Sequence, residues 1–250
     1  MIPYFRKIRK KMADDNRPLK YMRYAIGEIV LVVIGILIAL SINNWNDNRL
    51  VKAESKDLLK RLIVDLEQDI SYFDAQEIEY KTWLQQIDFI LDQVLVIDGV
   101  KISKPEHIIA GRGSLNFLHV TQMTFIEMFN SGKKLIFKED EIIRDINLYY
   151  QYAENELHKL NSDNEYYWEW ATETLGEEFN NGLRLYSGRN LDYNDWSWQY
   201  DPTSKEYKHI ESINIYYKIA IIENIRVINS LQKKSKQLIK KISEEYIKTE

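Results

Sequence analysis

Between Ile29 and Asn46 no side chain ionises, and Ile29 to Ile42 is apolar apart from Ser41. With Tyr24 to Gly27 upstream and Trp45 downstream the run spans about 22 residues, close to the ~20 that cross a hydrocarbon core as a helix. Tyr21, Tyr24 and Trp45 stand where interfacial aromatics belong. Glu28 is the one charge, about a turn inside the boundary, where it can snorkel to the headgroups or stay protonated. A buried soluble helix can be this apolar, and Ala39-Leu40-Ser41 resembles a signal-cleavage site. The basic stretch before the run is too long for a usual signal sequence, and helical sequence continues past Ser41. A membrane-spanning helix over residues 24–45 is therefore expected.

Charge divides the chain around that run. Eight Lys/Arg and two acids put +6 on residues 1–23, and the remaining 26 basic and 36 acidic residues put −10 on the rest. A basic tail beside an apolar run suits anionic headgroups, and an acidic body repels nucleic acid. Residues 4–23 carry eight cations, whereas residues 46–65 carry five interleaved with four acids. That bias predicts a cytoplasmic tail (1–23), the spanning helix (24–45) and an extracytoplasmic domain (46–250). The absence of cysteine excludes disulfides, thiolate metal sites and a cysteine nucleophile.

The segment Lys20-Tyr21, then Tyr24 through Leu40, then Ile42-Asn43-Asn44-Trp45-Asn46 resembles the N-terminus of a Bacteroidota membrane-protein family, domain of unknown function 6090. A second, looser match lies at Thr124-Phe125, Glu127, Ser131-Gly132, Ile136 and Tyr149-Tyr150. Ser41 stands where the family often has Gln, and Lys133-Lys134 where Asn-Leu is usual. The resemblance implies an inner-membrane anchor with a periplasmic domain, and it brings no activity.

Only nine Gly and four Pro favour long helices. From Asp47 to Ile97 neither occurs, and Leu59, Leu62, Leu66, Ile70, Phe73, Tyr80, Leu84, Ile87, Leu91 and Val94 recur at three- and four-residue steps, with a gap near Glu77. This predicts one helix continuous with the span and ended by Asp98-Gly99. Ser103-Lys104-Pro105-Glu106 predicts a short helix toward Gly111, and Thr124-Phe125-Ile126-Glu127 another that stops at Ser131-Gly132. A long helix is expected from Glu139 to Phe179, closed by Asn181-Gly182, with Ile142, Ile146, Tyr149, Ala153, Leu157, Leu160, Tyr167 and Ala171 inward. After a loop at 182–202, Thr203-Ser204-Lys205-Glu206 predicts a capping box for a last helix. That helix buries Ile210, Ile213, Tyr217, Ala220, Ile221, Ile228, Leu231, Leu238 and Ile242. The expected fold is all-α: one transmembrane helix followed by an elongated antiparallel helical bundle with coiled-coil packing.

Candidate chemistry is sparse. Glu154 and His158 share a helix face, but a di-iron site needs two Glu-x-x-His motifs and the chain has one, Glu206-x-x-His209, so a solvated pair is the better reading. Gly111-Arg112-Gly113-Ser114 lacks the preceding strand and the Gly-Lys-Ser/Thr ending of a phosphate loop, and reads as a turn. No Ser/His/Asp set sits in a nucleophile elbow. Trp168, Trp170, Trp196 and Trp198 cluster with Tyr166, Tyr167, Phe179, Tyr186, Tyr193 and Tyr200. Tyr193, Trp196 and Trp198 are the expected partner-contact residues, against the plainer reading of a loop packed over a bundle end. Gly35 and Ala39 make a small-x-x-x-small face for self-association in the membrane. The expected role is therefore a membrane-anchored interaction module, not an enzyme, without metal or cofactor. Its partners would be the bilayer, an unidentified protein and a second copy of itself. An extracytoplasmic ligand sensor is the alternative.

Overall fold

The structure, a computed structural model, describes residues 18–94, 115–130, 141–186 and 201–247. Of these, 93% are helical and none lies in a strand, so the all-α expectation holds. Helix α1 runs Pro18–Phe89 and continues as a π-helical turn, Ile90–Val94. Helix α2 is Met123–Asn130, α3 is Glu141–Tyr186, and α4 is Lys205–Ile242, extended by a second π-helical turn at Ser243–Ile247. Asp98-Gly99, the short helix toward Gly111, the Gly111–Ser114 turn, and Tyr193, Trp196 and Trp198 fall outside the described residues.

The chain separates into two compact units, Met1–Ser55 with Lys134–Ile136, and Lys56–Lys133 with Phe137–Glu250. In the first, α1 includes an 18-residue window of mean hydropathy 2.8, none of it buried. By length and composition this helix can cross a membrane. Leu31 is 72% exposed, and a methyl group added at Gly35 would meet nothing within 4 Å. Just past the apolar run, Arg49 lies over the Trp45 ring at 5.6 Å and Asn43 donates to Asp47 at 3.0 Å, local contacts one helical turn apart.

The second unit is a bundle whose directions follow from its cross-links. Gln232 donates to Asp74 and Lys218 pairs with Asp88, so α4 runs antiparallel to α1. Lys241 with Asp145, Ser235 with Tyr149, and Asn224 with Asn164 make α4 antiparallel to α3 as well. Helices α1 and α3 are consequently parallel, and chain must return between them. Residues Leu115–Gln122, which form no regular secondary structure, followed by α2, provide that return; from Asn116 on Tyr80 to Thr121 on Asp69 they keep pace with α1 at about 3.3 Å per residue, the rise of an extended chain. Among the described side chains, which leave out that of Val94, the core is the expected stripes, with Leu58, Ile90, Ile143, Tyr150, Val227 and Tyr207 added. Ile70, Leu84, Leu91 and Tyr167 are only half-buried.

Three helix boundaries differ from expectation. Helix α3 passes through Asn181-Gly182 to Tyr186; its two interior glycines, Gly176 and Gly182, cost about 1 kcal/mol each, which a 46-residue helix absorbs. The α4 cap is Ser204, not Thr203: Ser204 Oγ accepts from Tyr207 N at 3.1 Å. Thr203 is already occupied, donating its backbone N and its hydroxyl to Asp201 Oδ1 at 2.8 and 2.6 Å. At α2 the box residues serve tertiary contacts instead. Thr124 N donates to Asp65 of α1 at 3.2 Å, and Glu127 accepts a bidentate Arg61 at 2.6 and 3.2 Å.

Candidate functional site

An extended segment inside a helical bundle has no ladder to satisfy its peptide groups, and each one left buried and unpaired costs about 1–3 kcal/mol. Leu115, Leu118 and Val120 bury their side chains and so carry the backbone inward. Side chains from α1 and α3 take the place of neighbouring strands. From α1, Tyr80 donates to Asn116 O at 3.5 Å and Tyr72 to Phe117 O at 3.4 Å, both long. Asp69 accepts from Thr121 N at 2.9 Å and from the Thr121 hydroxyl at 2.8 Å. From α3, the Asn161 amide accepts from Leu118 N at 3.0 Å and donates to Leu118 O at 2.9 Å, the two bonds a paired strand would make. Tyr150 donates to Thr121 O at 3.0 Å, while its ring stacks on Phe125 with centroids 4.2 Å apart. The Asn116 side chain closes the far end on Gln76 and Glu79 at 2.7 and 3.3 Å. These polar partners fill the gap near Glu77 in the apolar stripe of α1.

The electrostatics suit holding more than reacting. Burial pushes the Asp69 carboxyl above its ordinary value, against the opposing pull of both Thr121 bonds; nearby Asp65 adds to the rise and His119 offsets it. Burial also raises the phenols of Tyr80 and Tyr150, and that of Tyr149 to about 12, with Ser235 lowering the last. These hydroxyls therefore stay protonated, as Tyr80 and Tyr150 must to donate to Asn116 O and Thr121 O. The groove between α1 and α3 reads an extended peptide by its backbone, and the peptide is the chain's own.

A second feature lies on α4, an open depression of about 420 Å³ lined by Asn229, Gln232, Lys233, Lys236, Gln237 and Lys240. Its sequence signal is the run from Asn224 to Ser243, with six cations and no acid. Charge totals over the whole chain conceal it.

Of the sequence candidates, Gly35 and Ala39 lie exposed on α1 in the first unit. Glu154 and His158 are both exposed, and among the described residues no three His, Asp or Glu groups converge as a metal requires. His119 packs against Tyr72 with ring centroids 4.7 Å apart. The described part of the aromatic cluster is used in packing. Tyr167 and Trp170 both meet Tyr216 of α4, at 3.7 and 4.8 Å between centroids, while Tyr166 is 63% exposed.

Comparison with known proteins places this arrangement. A family model described as a family of unknown function, DUF6090, matches residues 28–171. The chain belongs to that family. The match includes the apolar span from Glu28 onward and ends in α3 at Ala171. Every residue of the clamp, the α1 and α3 side chains that hold Leu115–Gln122, thus lies inside the DUF6090 region, while α4, which completes the bundle, lies outside it. No curated protein and no solved structure matches.

Proposed function

We propose that this DUF6090 protein is a single-pass, membrane-anchored helical module of the bacterial inner membrane. Its basic tail lies in the cytoplasm, its bundle lies in the periplasm, and it works by protein contact. The observation that supports the anchor is the apolar window of α1, of mean hydropathy 2.8 and entirely unburied. A helix this apolar needs a nonpolar surrounding, since transfer of apolar area out of water is worth about 25 cal/mol per Å². The orientation rests on the excess of Lys/Arg before the span. The contact role is supported by how the bundle spends its polar groups. Asp69, Asn161, Asn164, Asn224 and Ser235 are all engaged in holding helices and the return segment together.

Topology is tested by fusion. Alkaline phosphatase joined after Glu250 is expected to be active and β-galactosidase at the same point inactive. The reverse pattern would refute the orientation, and loss of the chain from the membrane pellet after alkaline carbonate would refute the anchor.

A further inference from the structure

Helix α1 of the bundle has a second face, opposite its buried stripe. Val64, Gln68, Ser71, Ala75, Ile78, Thr82, Gln85 and Phe89 follow one another at alternating four- and three-residue steps, and all eight are exposed. Ile78 is 69% exposed, Phe89 53% and Val64 49%. The 26 residues from Val64 to Phe89 contain eight charged side chains, and none falls on this line. The polar members are partly spent on their own helix: Ser71 donates to Glu67 O at 3.1 Å and Thr82 to Ile78 O at 3.0 Å. Ser71 and Thr82 are thereby partly satisfied, while Gln68 and Gln85 remain polar. Alternating steps of three and four without charge follow the spacing of a helix packed along its length on another, with Val64, Ala75, Ile78 and Phe89 as the apolar members of the line and Gln68, Ser71, Thr82 and Gln85 as the polar ones.

We propose that this face pairs with the same face of a second copy of the chain, the two α1 helices lying parallel. The parallel direction rests on the membrane-anchored reading above, in which the chain of both copies leaves the same side of one bilayer and enters the seam at Val64. On a parallel two-fold seam each residue meets its own copy, so any charge there repels itself, whereas Ala, Ile, Thr and Gln tolerate their own kind. That rule accounts for the missing charges better than the other occupants do. A lipid surface is ill served by Gln68 and Gln85, and a charged partner would need charge to meet.

The flanks permit the parallel register. It sets Lys60 beside Asp65 of the second copy, Glu67 beside Tyr72 and Lys81 beside Gln86. Asp74 and Glu79 would meet as like charges, the one unfavourable pair of the register; their bonds from Gln232 and Asn116 turn part of each carboxylate to its own bundle and leave the charge in place. The seam is about 39 Å long at ~1.5 Å per residue. At about 10 Å wide it buries on the order of 800 Å² in total, below the ~1,200–2,000 Å² of stable interfaces. Pairing of this size depends on the high effective concentration that a shared membrane supplies.

The chain has no cysteine, so single cysteines report without background. Full-length chains carrying Ser71→Cys, Ala75→Cys, Ile78→Cys or Thr82→Cys are oxidised in membranes, with Gln151→Cys on the exposed side of α3 as control. Disulfide-linked dimer is expected at all four seam positions, at least fivefold above the control. Adding Ala75→Glu to the Ile78→Cys chain should lower the yield at least fivefold while its helical circular dichroism stays unchanged. Seam yields equal to the control, or a yield that Ala75→Glu leaves intact, would overturn the pairing. Alkaline carbonate extraction separates this from failure of the anchor. A chain retained in the pellet without seam crosslinks overturns the pairing alone. A chain released to the supernatant overturns the anchor and, with it, the parallel pairing argued from the shared bilayer.

Discussion

Asp69 carries two obligations that compete. It must accept from Thr121, which favours the carboxylate, and it must sit 3% exposed in the core, which disfavours it; burial wins, and its pKa lies above the ordinary value. A carboxyl whose folded-state pKa is raised contributes most below its unfolded value, and that contribution is lost as pH rises through the raised one. Asp69→Asn removes the titration and keeps an acceptor for Thr121. Wild type is therefore expected to lose stability relative to Asp69→Asn as pH rises above about 4, by no more than about 1.4 kcal/mol per pH unit. Urea unfolding of both chains in detergent measures the gap, and a gap that does not change with pH would remove this account. Asn161 gives a second reading of the same clamp. Asn161→Leu leaves both Leu118 N and Leu118 O without partners and is expected to cost about 3 kcal/mol. Neither residue stands out in the sequence. Asp69 and Thr121 are 52 positions apart, Asn161 and Leu118 43 apart, and helical periodicity reports only neighbours three or four apart.

At the scale of elements, the stripes were legible and the joints were not. All the inward positions named for α4, from Ile210 to Ile242, are buried, because a 3.6-residue period persists over ten turns and averages out local exceptions. A capping box is four residues long, and tertiary contacts override it. Asp65 supplies the partner for Thr124 N, and Asp201 draws Thr203 away so that Ser204 caps α4. The non-helical backbone of the return segment has no signal of this kind. Leu115, Leu118 and Val120 are too few to fix a period, and their backbone is satisfied by residues remote in sequence. The Ser204 cap makes a direct test. Ser204→Ala is expected to cost about 1 kcal/mol and to speed amide exchange in the first turn of α4, near Tyr207, with exchange at Asn224 changed little. Equal acceleration at both would mean that the loss is global and that the cap is not local.

For the molecule as a whole, the two units differ in what they ask of their surroundings. The buried apolar core begins at Leu58, and each of its residues belongs to the unit that begins at Lys56. The apolar span contributes nothing to that core, since none of its window is buried. A chain beginning at Lys56 therefore keeps all of that core, the clamp on Leu115–Gln122 and the Asn164–Asn224 pair, and it sheds the longest exposed apolar stretch. It is expected to be soluble, helical by circular dichroism and cooperative in thermal unfolding. Aggregation, or a broad melt without a baseline, would show that the bundle needs the first 55 residues to hold its packing. The same fragment also separates contact strength from tethering. A seam of about 800 Å² is small for a stable interface, so the fragment should sediment as a monomer at micromolar concentration. The anchored chain should still crosslink at Ile78, because confinement in one bilayer raises the effective concentration without any new contact. A fragment that dimerises tightly in solution would instead mean that more of the bundle surface joins the interface than the α1 seam, and the width assumed for that seam would have to be abandoned.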